Sequence, residues 1–256
     1  MSLRLHRRLR ALLAALALGL AAPAAALDAD PSEPCAPHPF DGGRFTVCVV
    51  DLAKHDLRLF WTDETGTPFA RPARLPKEIE GRPLLFAMNA GMYDRELAPI
   101  GLYVEDGVEL KRLNTRDGPG NFHMLPNGVF YVAGGRAGVM TTQDFLAATP
   151  DAEIATQSGP MLVIDGRLHP RFLPGSDSLR IRNGVGVRPD GRVLFAISDE
   201  AVTFHHFARL FRDALGTPNA LYLDGSVSAL YAPHLERSDG FRPLGPMIAA
   251  FPRGEG

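Results

Sequence analysis

Ala220-Leu221-Tyr222-Leu223-Asp224-Gly225-Ser226-Val227-Ser228-Ala229 joins an apolar run of strand length to a carboxylate followed by small residues. A buried strand that stops at Asp224 carries that carboxylate at its end, where small residues let backbone approach a ligand closely. An ordinary Asp-Gly turn uses the same letters, so the rest of the chain has to decide between turn and site.

Working outward, the segment before this strand reads as a helix over residues 203–215. Phe204, Phe207, Leu210, Phe211 and Leu215 form one stripe at helical spacing, and Gly216 with Pro218 supplies the stop. The helix returns the chain into the strand and sets Asp224 at its far end. Residues 84–89 form a second apolar run, ending at Asn89 and followed by the small-residue turn 90–93. Residues 45–51 and 57–61 are strand-like and read as an antiparallel hairpin. The Pro- and Arg-rich stretch 67–83 reads as a surface connection with at most one short helix.

Turn signals recur at Asp106-Gly107, Asn127-Gly128, Asp165-Gly166 and Asp190-Gly191, each beside short apolar runs. Parallel strands need long crossovers, so these tight turns predict antiparallel pairing. A short helix capped by Thr141 or Thr142 runs towards Pro150, and a last strand covers residues 247–251. The expected class is α+β: a mainly antiparallel β-sheet core of short hairpin-linked strands with a few packed helices, in a single domain. No fixed period marks a propeller or solenoid.

Arg4, Arg7, Arg8 and Arg10 precede an apolar run ending at Pro23, and Ala24-Ala25-Ala26 offers a cleavage site. Residues 1–26 therefore read as a signal peptide, 27–44 as an N-terminal arm and 45–256 as the domain. The expected location is periplasmic or secreted, with no stable membrane insertion after cleavage. Cys35 and Cys48 are the two cysteines of the chain. In an oxidising compartment they can form a disulfide tying the arm to the first strand; the alternative is two thiols with Cys48 buried. Two thiols without a zinc-spaced His cluster argue against a metal site. A net charge of -2, without a basic stripe interleaved with aromatics, argues against nucleic acid as a partner.

Three chemistries are worth testing on these residues. A serine nucleophile elbow needs Gly two positions either side of the serine; Ser226 has Asp224 and Ser228 there, so the motif fails. His205-His206 are helical neighbours about 100 degrees apart and do not share a tetrahedral ion easily. The third is a set of polar residues at strand ends: Asn89, Gln157-Ser158, Arg180, Arg182-Asn183, Asp199 and Asp224. Such a set offers Arg for phosphate, amides for hydroxyls and carboxylates for proton movement. Each residue taken singly also suits turn or surface chemistry.

The segments 88–93, 99–102, 157–163, 182–187 and 223–228, in this order, resemble the phosphodiester glycosidase family. The resemblance implies hydrolysis of a sugar-phosphodiester or related glycan linkage; the residues themselves point to no cofactor and to no metal-ligand set. By position the resemblance places Asn89, Arg182, Asp224 and Ser228 in the site, with Asn89, Arg182 and Asp224 catalytic; Ser228 and the strand-end residues Gln157, Ser158, Arg180, Asn183 and Asp199 are then expected to contact a carbohydrate or sugar-phosphate substrate. In this scheme Arg182, with Arg180, grips the phosphate, and Asp224 acts as base or nucleophile at the anomeric carbon. Asn89 and Ser228 orient sugar hydroxyls. The chain departs from the family pattern at Ser226-Val227, where two glycines are usual, at Asn183 for Thr, at Ser158 for Gly and at His206 for Glu. Those departures make a non-catalytic periplasmic glycan-binding protein of the same fold the alternative.

Overall fold

A computed structural model describes residues 29–224, 227–240 and 242–254. The leader expected at residues 1–26, the first two residues of the arm, and Gly225 and Ser226 beside Asp224 lie outside the described residues.

Three antiparallel sheets surround a shared interior. A seven-stranded sheet has the order Cys35–Phe40, Gly43–Val50, Val193–Ser198, Asn183–Val187, Asn219–Tyr222, Met161–Ile164 and Arg167–Leu168. A second sheet runs Arg136–Thr141, Gly128–Ala133, Ile154–Ser158, Tyr103–Glu105 and Val108–Lys111. A third runs Arg237–Ser238, Leu230–Ala232, Phe86–Asn89, Met247–Pro252 and His55–Phe60. The α+β expectation, with its mainly antiparallel core, describes this architecture.

Side-chain alternation explains why three sheets can share one interior. Val193, Phe195 and Ile197 of the seven-stranded sheet face the common core with Phe130 and Ile154 of the second sheet and Phe86, Met88 and Ile248 of the third. The intervening Leu194 and Ala196 face the opposite way, onto Phe207, Phe211 and Leu215 of the helical segment. Strands buried on both faces read as continuous apolar runs rather than alternating ones, as these do. The helix Phe204–Arg209 is capped by Thr203, whose side chain accepts a hydrogen bond from the His206 N–H, and it continues as the π-helical turn Leu210–Ala214. The short helix Thr142–Ala148, capped by Thr141, places Phe145 against Val129 and Val104 on the outer face of the second sheet.

Two local expectations are corrected. Residues 45–51 and 57–61 do not form a hairpin: Gly43–Val50 pairs with Cys35–Phe40 and Val193–Ser198, while His55–Phe60 pairs with Met247–Pro252 in the third sheet. The turn between them is closed by Asp51 O, which accepts from the Lys54 and His55 N–H groups, and it carries the chain from one sheet to another. Asn127-Gly128 is likewise no hairpin turn. Residues Asn121–His123 form a 3-10 turn, the Asn127 side chain donates to Phe122 O, and Gly128–Ala133 turns back at Gly134-Gly135, both with positive φ.

The arm is part of the sheet system. Cys35–Phe40 is an edge strand, and a Cys35–Cys48 disulfide links it to its neighbour. His234 and His55 fix the same region through ring nitrogens against Cys35 O (2.8 Å) and Pro31 O (2.9 Å). Among the described residues, no helix is long and apolar enough to cross a membrane.

Candidate active site

Strand ends from two sheets meet at Asp224. Asn219–Tyr222 delivers it from the seven-stranded sheet, and Phe86–Asn89 of the third sheet brings Asn89 alongside. Ser158, at the end of Ile154–Ser158, donates from Oγ to Leu223 O at 2.8 Å and pins the chain just before the carboxylate.

Asn89, wholly buried, is the centre of the polar knot. Its Nδ2 donates to Asp224 Oδ2 at 2.6 Å and to Asn183 Oδ1 at 3.4 Å, using both of its hydrogens. Its Oδ1 accepts from the Ala229 N–H at 2.9 Å, so one side chain bonds both Asp224 and Ala229. Asn183 Nδ2 returns a bond to Asn89 O at 2.9 Å. Ser228 Oγ lies 3.1 Å from both Asn183 Oδ1 and Ile181 O, and its single hydrogen serves one of them at a time. Asp224 is only 4% exposed, which makes a carboxylate in this position dependent on such donors.

Glycine is required in the turn after Asn89: a Cβ on Gly91 would sit 2.3 Å from Thr156 Oγ1 and 2.6 Å from Gln157 O. The turn carries Tyr93 into a cavity of about 490 Å³ lined also by Arg95, Leu97, Asp224, Val227 and Arg242. Burial and then the Asp224 charge push the Tyr93 phenol above its ordinary range, so it is a neutral hydrogen-bonding group at the cavity wall. It donates to Pro243 O at 3.2 Å. On the other side of Val227, a cavity of about 500 Å³ is lined by Asp199, Ser228, Arg237 and Arg242 among others.

The structure thus brings together Asn89, Asn183, Asp224 and Ser228, with Ser158 behind them, while the side chains of Arg182, Arg180, Asp199 and Gln157 are engaged with other partners. Arg182 is 1% exposed. Its Nε donates to Val202 O at 2.9 Å, its Nη2 to Ser178 O at 2.8 Å, and its guanidinium lies 3.6 Å from the Phe204 ring centroid. It also pairs with the Tyr222 phenol, and burial draws its pKa below the ordinary Arg value. This geometry makes Arg182 an interior brace for the residues 178–182. Arg180 is exposed and donates to Leu179 O. Asp199 faces the second cavity but is tied to Arg237 and to Thr46 Oγ1. Gln157 is buried under the segment 113–116: its Oε1 accepts from the Leu102 and Asn114 N–H groups and its Nε2 donates to Asn114 O.

Tyr93, Arg95, Val227 and Arg242 line the cavity without having been marked as site residues in the sequence. Tyr93 sits four residues beyond Asn89, inside a recognised segment, so its proximity was there to be found. Arg242 lies in the Pro- and Gly-rich closing segment, which offers no periodic signal. Among the described residues, no three His, Cys, Asp or Glu side chains gather in a group able to hold a metal ion.

The sequence model of the phosphodiester glycosidases matches residues 83–251, a span containing every residue of the polar knot. The chain belongs to the phosphodiester glycosidase family. The uncharacterized protein YigE of Escherichia coli (strain K12) is 38% identical over 184 residues, 72% of each chain. Among solved structures, the catalytic domain of zebrafish N-acetylglucosamine-1-phosphodiester alpha-N-acetylglucosaminidase, auto-inhibited by its pro-peptide, aligns with a TM-score of 0.55 at 15% identity. It covers 84% of this chain and 80% of its own. A protein of Burkholderia pseudomallei K96243 described as exported aligns with a TM-score of 0.55 at 12% identity, over 82% of this chain and 74% of its own. At those identities the two structures are likenesses of fold. As a phosphodiester glycosidase family member, the chain has a hydrolase-like fold whose polar knot is assembled from its own strand ends.

Proposed function

We propose that this protein is an exported hydrolase that cleaves the bond between an anomeric carbon and a phosphodiester oxygen, with Asp224 as the reacting carboxylate. The observation that carries the reading is Asp224 itself: 4% exposed, held at 2.6 Å by Asn89, and facing a cavity that also presents Tyr93, Arg95 and Arg242. A buried carboxylate kept in one orientation by a side-chain amide is positioned for attack or proton abstraction, because little reorganisation accompanies the step.

The group expelled from the anomeric carbon is a phosphate monoester, which takes up a second negative charge as it leaves; with a second pKa of about 6 it departs without a proton from an acid. Its departure calls instead for cations near the leaving oxygens, and Arg95 and Arg242 line the same cavity as Asp224. Asp94 also borders the cavity, but its Oδ1 accepts from the Glu96 and Ala98 N–H groups at 3.0 and 2.9 Å and so closes its own turn. Asn183 then supports Asn89, Ser228 bonds Asn183 in turn, and Arg182 braces the residues 178–182. The Cys35–Cys48 disulfide supports an oxidising compartment, in keeping with the leader read at residues 1–26.

The purified mature protein, incubated with methyl phosphodiesters of sugar 1-phosphates, is expected to release free sugar and the methyl phosphate monoester. Proton NMR of the first-formed sugar then assigns the role of Asp224. Retention of anomeric configuration means attack by the carboxylate, and inversion means activation of water. A non-catalytic glycan-binding role has one observation in its favour, Val227 standing between the two cavities. Tight binding of the diester without sugar release would establish that role and overturn the hydrolase.

A further inference from the structure

The Asp224 cavity does not end at the polar knot. Asp94 and Ile100 line both it and a further cavity of about 560 Å³, which is also lined by Lys111, Arg112, Arg116 and His123. Val227 and Arg242 likewise line both the Asp224 cavity and the one over Ser228 and Asp199. Because each shares wall residues with its neighbour, the three lie side by side and read as one groove, with the Asp224 cavity as its middle section.

Charge divides the groove. At the Ser228 end, Arg237 is neutralised by Asp199 and Asp239. At the opposite end Lys111, Arg112 and Arg116 are exposed and have no carboxylate within ion-pair distance among the described residues, and Asp94 is the one acid on that cavity's wall. The segment carrying these cations is anchored from below. Gln157 grips the Asn114 backbone on both sides, Asn114 Nδ2 donates to Ile100 O at 2.8 Å, and the His123 ring holds Arg116 O at 2.9 Å. A cationic wall so anchored binds an anion with less ordering cost than cations on a mobile loop.

We propose that the groove takes a chain bearing repeated phosphates, with one phosphodiester cleaved at Asp224 and a neighbouring phosphate held by Lys111, Arg112 and Arg116. This rests on the phosphodiester hydrolase reading above and narrows its substrate to an oligomer of sugars joined through phosphodiesters. A single sugar diester would occupy the middle section alone.

The test compares the wild type with the triple variant K111Q/R112Q/R116Q on two substrates: a methyl phosphodiester of a sugar 1-phosphate, and an oligomer whose sugars are joined through 1-phosphodiesters. The expected loss of kcat/KM on the oligomer exceeds that on the short diester by about tenfold or more, and added salt slows oligomer turnover more in the wild type than in the variant. The charge-retaining variant R112K/R116K is expected to keep most of the oligomer rate. Equal losses on both substrates, or no loss on the oligomer, would overturn the proposal. If neither substrate is cleaved, the hydrolase reading fails, and calorimetric titration of the same oligomer into wild type and triple variant decides the groove separately. Equal affinities, or equal binding of an uncharged oligosaccharide, would overturn it.

Discussion

Replacing Asn89 with Ala removes the centre of the polar knot and gives a magnitude that follows from its geometry. The variant loses the 2.6 Å bond to the Asp224 carboxylate, and the Ala229 N–H loses its acceptor at 2.9 Å. A hydrogen bond to a charged group contributes about 1.5–3 kcal/mol, and a buried donor left unsatisfied costs about 1–3 kcal/mol. Destabilisation of about 3–5 kcal/mol is therefore expected in urea unfolding, a large share of a typical domain's stability. A double-mutant cycle with Asp224→Ala separates the two parts. The Asn89–Asp224 coupling should be about 1.5–3 kcal/mol, since the two residues share a bond, and the remainder belongs to the Ala229 N–H. Additive effects within about 0.5 kcal/mol would refute the claim that Asn89 holds the carboxylate.

Other expectations follow from neighbouring features. Arg182→Met should destabilise the fold by about 3 kcal/mol or more, because Val202 O and Ser178 O lose charged donors and the contact over Phe204 is lost. Lysine at this position should rescue poorly, and a stable Arg182→Met protein with raised KM would return Arg182 to the substrate. Cys35→Ser with Cys48→Ser opens a loop of sequence separation 13 and should cost about 3 kcal/mol, read as a fall in urea midpoint. At high pH, burial keeps the Tyr93, Tyr103 and Tyr222 phenols protonated above their ordinary range, while the unfolded chain ionises them near pH ~10. The folded state then binds more protons, so the stability these groups contribute is complete below pH ~10 and falls as pH rises above it. Tyr103→Phe should flatten that fall, and an unchanged slope in urea titrations would remove Tyr103 from it.

Element by element, the sequence was informative wherever burial was two-sided or a turn residue was obligatory. The strand before Asp224, the helical stripe from Phe204 to Leu215 and the hairpins at Asp106-Gly107, Asp165-Gly166 and Asp190-Gly191 all form as expected. The strands Gly43–Val50 and His55–Phe60 read as a hairpin because adjacent strands with a short polar connection suit a hairpin and a crossing between sheets equally well. Their true partners, Val193–Ser198 and Met247–Pro252, lie far along the chain. The same limit applied to the site. Polar residues at strand ends marked Asn89, Asn183 and Asp224, and their side chains do meet. Arg182 carried the same signal, yet its side chain turns inward to Phe204 and Tyr222, a direction that residue type and spacing do not encode. Arg95 and Arg242 reach the cavity from a turn and from the closing segment, where no periodicity distinguishes a cavity wall from open surface.

The most direct measurement is the rate of sugar release from a methyl sugar-1-phosphodiester by the Asp224→Asn protein, with its fold confirmed by urea unfolding. The substitution keeps the shape of the side chain and an oxygen for Asn89 while removing the carboxylate. The account predicts a fall in kcat of about 10³-fold or more with the protein folded. Turnover within about tenfold of the wild type would contradict it.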